Sequence, residues 1–519
     1  MVYKLFSNKL FSNTKSFIFV FLLSACGGGT TPDSTMASQS NISVTGSQPG
    51  VTPFISFVQL QGQSLGLLVG SSLDHLTAIQ YTIQPKPGSS SRPVDVTFTI
   101  AALQQRGYAV TGSGKLTLPV FGLYAGYANR LSLRLQFQDA STQSLSTVVT
   151  TAAYSDPNGI YDHPTILKQR SSGSVLGFDF FAMKSALGTP LVVDTDGEIR
   201  WVAAGTANAF SSIFQDNAFV VGDQLSMSFW RLELDGSISQ SLISSPTYTD
   251  FHHNIDAGKS GLLAEVNALN DGVANLASIV AEFTVSTGTV TKDWDFAALL
   301  SAYMQSQGDD PSTFVRPGVD WFHMNSATYD PRDDSLIVSS RENFVIKVDY
   351  SSGNIIWILG DPTKYWYTFP SLRAKALQLQ AGGLYPIGQH AVSITSDGLL
   401  MLFNDGFASV NQPAGAPAGS SRSYSAVSAY SIDPVARTAQ EVWDFDYGQS
   451  IFSGVCSSAY EAPGKSLLVD YAYADSGASA RLVGLDASHN VVFDFEYASS
   501  FCTTSWNAIP IPLEGMQFN

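Results

Sequence analysis

The sequence predicts an all-β protein: a six-bladed β-propeller preceded by a small N-terminal β-sandwich. Two observations carry that expectation. Charged residues are only 13% of the 519, with Tyr, Phe, Thr, Ser and Gly abundant, a composition that favours strands and turns over helices. A hairpin pattern, a strand ending at an Asp or Gly turn and a second strand ending in Trp or Phe, recurs at Leu191–Val202, Trp230–Gln240, Val280–Asp295, Val345–Ile358, Ser428–Asp444 and Arg481–Asp494. A sandwich has no reason to repeat one turn six times, whereas repetition around an axis is what a propeller does.

The chain divides accordingly into residues 1–25, 26–48, 49–165 and 166–519. Lys4, Lys9 and Lys15 precede a short apolar stretch, Ser16–Leu23, and then Leu23-Ser-Ala-Cys26. A basic region, a short apolar core and small residues make a secretory signal, and the run is too short for a resident membrane helix. The Leu-Ser-Ala-Cys sequence resembles a bacterial lipobox, which makes Cys26 the expected lipidated residue, with Gly27 after it favouring an outer-membrane anchor. Residues 26–48, rich in Gly, Ser, Thr and Pro, read as a flexible tether. Residues 49–165 alternate apolar and polar side chains, as in Val94–Ala101 and Leu131–Asp139, and read as the sandwich. The formal charge of −16 argues against a nucleic-acid partner, because that affinity comes from Lys and Arg on phosphates. In an exported chain the two remaining cysteines, Cys456 and Cys502, are candidates for a disulfide.

A second repeat, lying between the copies of the first, carries the chemistry. His253 and His390 are each followed by seven residues, Gly-Leu-Leu, and an Asn six positions after the Gly (Asn267 and Asn404). A third copy begins at His323 and has Arg341 where the others have Asn. Each copy is a hairpin, so its two ends lie together, and equivalent hairpins of a propeller face the same end of the channel. His253, His323, His390, Arg341, Asn267 and Asn404 are therefore expected at one mouth. Asn325, two residues from His323, shares its face in a regular strand. His252 and His253 are adjacent, so one of them points inward; the spacing to Gly261 selects His253, with His252 the alternative.

Arg offers a planar fork for a tetrahedral oxyanion, and imidazoles add donors and a nucleophile. A three-histidine metal site is the rival reading; a fixed cation at Arg341 and the lack of a recurring Asp or Glu weigh against it. No cofactor is expected. A non-catalytic envelope scaffold remains the alternative for the whole chain, distinguished by having no use for this set. A sulfatase would need a metal and a modifiable Cys or Ser motif, which the sequence lacks.

Three segments carry a family likeness. Asp320–Thr363 resembles the core signature of the bacterial arylsulfate sulfotransferases. Gly388-Gln-His390 followed by Leu402-Phe-Asn-Asp-Gly406 is similar to a second motif, and Leu118–Leu131 to the N-terminal domain of that family. The resemblance implies a six-bladed propeller behind a β-sandwich, and sulfuryl transfer between small aryl sulfates and phenols without a nucleotide donor. It implies His390 as the nucleophile that forms a sulfohistidine, His323, Asn325 and Arg341 as the group holding the sulfuryl oxygens, and His253 as the remaining active-site histidine. It implies a homodimer, with Tyr124 in a loop reaching a neighbouring site. The close Cys pair of better-known members is missing; Cys456 and Cys502 fall instead in the histidine slots of the next two blades. Trp321, Tyr365, Trp366 and Tyr367 are candidates for an aromatic rim.

Overall fold

Alternating burial organises the first region of the protein. In the strand Ala128–Phe137, every second side chain is buried, and it lies between Leu76–Ile83 and the edge strand Thr142–Thr150 in a five-stranded sheet completed by Val94–Thr99 and Glu514–Phe518. A three-stranded sheet of Ile42–Pro49, Ile55–Gly62 and Lys115–Phe121 shares the same apolar core, through residues such as Val58, Leu118, Ile79 and Leu133. The computed structural model describes residues 42–63, 71–245 and 247–519. The signal and lipobox readings, including Cys26, lie outside the described residues.

Two expected boundaries move. The tether does not extend to residue 48, because Ile42–Pro49 is a strand paired along Ser56–Gly62, with Ile42 buried in the core. The final strand, Glu514–Phe518, belongs to the N-terminal sheet although it lies past residue 166. It runs parallel to Val94–Thr99, turning Met516 and Phe518 inward, and Phe518 stacks on Phe98 at 4.4 Å.

From residue 165 onward the described strands form six sheets of four or five strands. Each of the six hairpins read from the sequence is present as a paired hairpin of one sheet, at the outer edge in four and covered by a further strand, Gln378–Leu379 or Thr165–Lys168, in the two five-stranded sheets. The inner strands of successive sheets touch in chain order: Ser212–Gln215, Tyr248–Ala257, Met324–Asp330, His390–Ile394, Ser458–Ala462 and Asn507–Ile511. That last strand pairs with Phe180–Lys184, so the end of the region completes the sheet that begins it. Trp506, just ahead of it, packs tilted against Phe210 at 5.1 Å and donates its indole N–H to the Phe210 carbonyl. Three α-helices occur among the described residues, the longest being Phe296–Ser306, capped by the Asp295 carboxylate. No helix among the described residues is long and apolar enough to cross a membrane.

Candidate active site

All three repeat histidines sit at a break in their strand. His253 and His323 have φ of +51° and +50°, and Ala391, directly after His390, has +52°. The pairing register shifts at each place, between Phe251 and Ile255, between Met324 and Ser326, and between His390 and Ser393. Left-handed backbone is uncommon outside Gly and costs stability wherever the surroundings hold it, so three equivalent breaks mark a shared requirement to re-aim side chains. Cys456 and Cys502, with φ of +63° and +61°, stand in the same way ahead of the next two inner strands. They are joined by a disulfide.

The breaks bring His253, His323 and His390 together around a cavity of about 450 Å³, with Arg341 in its wall. One ring nitrogen from each histidine lies within 4.8 Å of the others, close enough to share one small ligand. The guanidinium beside them favours an anion over a cation. Phe407, Phe452, Val410, Val455, Tyr473 and Phe501 give the rest of the cavity an apolar lining.

Each polar group is held from behind. Asp320 Oδ2 lies 2.5 Å from His323 Nδ1, which leaves Nε2 as the free nitrogen of that ring. Burial pushes the Asp320 carboxyl up, but the His323 hydrogen bond and nearby cationic charge outweigh it and hold the group below its ordinary range. Arg341 donates from Nη1 to Glu342 Oε1 at 2.6 Å, and Glu342 Oε2 accepts the backbone N–H groups of Val410 and Asn411. Arg341 is 3% exposed, yet its Nη2 has no partner among the described residues. An unpaired buried donor of this kind is costly and suits a ligand oxygen.

His390 is buried, and its Nδ1 lies 3.0 Å from the Gly388 carbonyl, so Nδ1 carries the proton and Nε2 the lone pair. Burial, then the charge of Arg341, pushes its proton affinity well below that of an ordinary histidine. Burial and the neighbouring imidazoles do the same for His253, and His252 is pushed down to about 4 by burial. The nucleophile candidate is therefore a neutral imidazole at neutral pH.

Several expected placements change. His253 lines the cavity, while His252 lies behind it, its Nδ1 2.6 Å from His253 Nδ1 and 3.2 Å from the Met324 carbonyl. Asn325 is fully buried and does not line the cavity; its amide donates to the Gln389 carbonyl at 2.8 Å, next to His390. The break at His323 removes the two-residue alternation that would have put both on one face. Asn267 and Asn404 are likewise spent on backbone, accepting the N–H groups of Ala277 and Ile387. Trp321 and Trp366 are buried in an apolar cluster, with Tyr365 and Tyr367 packed against it, and none of the four lines the cavity. Tyr124 is buried, its ring covered by the Arg200 guanidinium at 3.6 Å, and so is not free to reach a neighbour.

The arylsulfotransferase (ASST) family matches residues 162–507, and the arylsulfotransferase Ig-like domain matches residues 60–152. The chain belongs to the arylsulfotransferase family. Among arylsulfotransferase relatives, the arylsulfate sulfotransferase AssT of Escherichia coli O6:H1 is 31% identical over 160 residues, covering 28% of this chain and 26% of that protein. AssT of Lelliottia amnigena is 28% identical over 154 residues, covering 26% and 25%. The chain thus spans about a quarter of the length of these curated relatives. Among solved structures, a europium-containing methanol dehydrogenase overlaps 74% of this chain and 78% of its own, at TM-score 0.30 and 11% identity. BamB from Moraxella catarrhalis overlaps 72% and 96% at TM-score 0.25 and 11% identity. Those two likenesses are too slight to bear on the chemistry of an arylsulfotransferase.

Asp320, Glu342, Asp405 and the aromatic wall at Phe407, Phe452, Tyr473 and Phe501 are the site residues that sequence reasoning missed. A carboxylate three residues before His323, and others directly after Arg341 and Asn404, were the available signals.

Proposed function

We propose that this arylsulfotransferase moves a sulfuryl group from an aryl sulfate to a phenol through His390, by a ping-pong route and without a nucleotide sulfate donor. The observation that carries the reading is the unpaired Nη2 of Arg341, buried in the wall of the cavity that gathers three imidazoles. His390 Nε2 attacks sulfur, forming the S–N bond as the S–O bond to the aryl group breaks. Charge on the sulfuryl oxygens and on the departing phenolate is met by Arg341, His323 and His253, where stabilisation accelerates the step. An acceptor phenol then takes the group from the sulfohistidine and loses its proton, which needs a base because such a hydroxyl has a pKa of about 10. Asn325 acts one layer back, fixing the peptide that carries His390.

A six-bladed propeller over residues 166–513 accounts for the six sheets, the chain-order contacts of their inner strands and the shared first and last sheet. The lipid anchor at Cys26 rests on the Leu-Ser-Ala-Cys sequence, and its outer-membrane location on the Gly27 that follows. A homodimer rests on the family resemblance.

Nitrophenolate release from 4-nitrophenyl sulfate, with and without phenol, tests the function in the wild type and in His390→Ala. Phenol-dependent release that the substitution abolishes is the expected result. Release indifferent to phenol means hydrolysis, and release unaffected by the substitution removes His390 as the carrier.

A further inference from the structure

Behind the imidazoles lies a buried carboxyl that the reaction above does not use. Glu265, in the strand Leu262–Asn270, is 1% exposed. One carboxylate oxygen lies within 4.8 Å of a ring nitrogen of His252 and of His253. Its Oε2 accepts the Asn254 backbone N–H at 3.2 Å, and its Oε1 has no partner among the described residues.

The charged groups facing it do not neutralise it directly. Lys184, from Phe180–Lys184, spends its ammonium on Asn254 Oδ1, and no ion pair to Glu265 occurs among the described residues. Asp256 accepts from the Asn254 amide on both oxygens at 2.9 Å and from the Ala327 backbone N–H at 3.2 Å, and adds a like charge nearby. His252 and His253 are neutral rings on this side. A buried carboxyl with a free oxygen, a like charge and no bonded cation is most stable holding its proton.

The transfer needs such a proton once and returns it once. The first half-reaction expels a phenolate, which must gain a proton to leave as a phenol; the second consumes a phenol, which must lose one. We propose that Glu265 stores this proton between the two half-reactions, exchanging it with the aryl oxygen through His253. In the first, the S–N bond to His390 forms, the S–O bond breaks, His253 gives its proton to the aryl oxygen, and Glu265 refills His253 and becomes a carboxylate. In the second, the acceptor oxygen bonds to sulfur, the S–N bond breaks, and the phenolic proton returns through His253 to Glu265. No proton enters from or leaves to solvent. Glu265 never touches substrate; it acts through His253. This rests on the sulfuryl-transfer reading above.

The test compares two donors. Phenyl sulfate expels a phenol of high pKa that needs the proton, whereas 4-nitrophenyl sulfate expels an acidic phenol that leaves as the anion. In Glu265→Gln, kcat/KM for phenyl sulfate should fall by about a hundredfold while that for 4-nitrophenyl sulfate stays within about threefold. Equal losses on both donors, as a purely structural role would give, or no loss on either, would overturn the proposal. A second measurement uses the wild type, so misfolding of the variant cannot decide the matter. Single turnover of phenyl sulfate without acceptor, in weakly buffered pH indicator, should show no proton uptake in the burst. Uptake of one proton per site would overturn the stored-proton assignment. Absence of transfer from either donor by the wild type would instead remove the function itself, and this proposal with it.

Discussion

Asp405 Oδ2 lies 2.9 Å from His390 Nδ1 but off the line of a hydrogen bond, because the N–H direction is taken by the Gly388 carbonyl at 3.0 Å. Asp405 is wholly buried, and neither carboxylate oxygen has a hydrogen-bond partner among the described residues. Burial drives its pKa well up, and the charges of Arg341, Arg422 and Lys364 pull it back. The pair is poised for the moment at which His390 becomes a sulfated, cationic ring. The Asp405 carboxylate, 2.9 Å away, then offsets the positive charge that appears on the ring, which a neutral resting imidazole does not require.

Asp405→Asn keeps the shape and removes that capacity. The expected outcome is a fall in the rate of the first half-reaction of about a hundredfold, the lower end of what a positioned acid–base group contributes. Little change in KM should accompany it, since the charge appears only as the S–N bond forms. Rapid-mixing measurement of the nitrophenolate burst, alongside thermal melting of the variant, checks this. An unchanged burst would mean that the Gly388 carbonyl suffices to hold the ring.

Arg341 does two things to the reaction that a pH profile separates. Its guanidinium is a seat for sulfuryl oxygens, and its charge lowers the proton affinity of His390, second only to burial. His390 must be unprotonated to attack, so activity is lost as pH falls through its pKa. With that pKa held well below 6.5, kcat/KM of the wild type should be flat from neutral pH down past 6.5 before the acid limb begins. In Arg341→Gln the cation is gone, protonation of His390 becomes easier, and the acid limb should move to higher pH. Its plateau should also fall by about a hundredfold, the cost of losing a charged donor to developing charge. A lowered plateau with an unmoved limb would leave only the oxygen-binding role.

The apolar wall predicts a split between binding and folding. Phe452 and Tyr473 line the cavity and are half-buried, so Phe452→Ala should raise KM for aryl donors with kcat changed far less, the pattern of lost uniform binding. Trp366 is buried against Phe344 at 5.4 Å, away from the cavity, so Trp366→Ala should cost about 3–5 kcal/mol of stability, as large-to-small core changes do. Urea unfolding and steady-state kinetics on both variants distinguish the two roles. A KM effect confined to Trp366→Ala would reverse the assignment.

How much was legible in the sequence follows from what kind of order each feature is. The six repeated hairpins were readable because turn residues and strand alternation are local, and the histidine repeat was readable because equivalent hairpins carry equivalent positions. Asn325 was misplaced because regular alternation fails at the left-handed His323, and nothing in residues 323–325 announces that break. The aromatic wall was hidden for a different reason. Phe407, Phe452 and Phe501 come from separate loops and Tyr473 from the end of the strand Ser466–Ala474, with no shared spacing, while the conspicuous Tyr365-Trp-Tyr367 run packs against the core. Ile42–Pro49 and Glu514–Phe518 depend on partners far away in the chain, so a Ser- and Gly-containing end reads as a tether until its neighbour is known.

The disulfide ties this geometry to stability. Cys456 lines the cavity and Cys502 precedes the strand that completes the first sheet, and 46 residues separate them. In the chain-entropy account, closing a loop of that length stabilises the folded state by about 4 kcal/mol, by restricting the unfolded chain. The bridge also fixes two left-handed residues whose conformations would otherwise be held by packing alone. Cys456→Ala with Cys502→Ala should therefore lower the unfolding free energy by about 2–5 kcal/mol. Because Cys456 shares the cavity wall with Val455 and Gly454, kcat/KM for bulky aryl donors should fall more than for small ones. Denaturant titration of oxidised, reduced and doubly substituted protein, with donor-size series on each, measures both effects. Equal stability of oxidised and reduced protein would show that the packing of Trp506 against Phe210 and His253 holds this corner without the bridge.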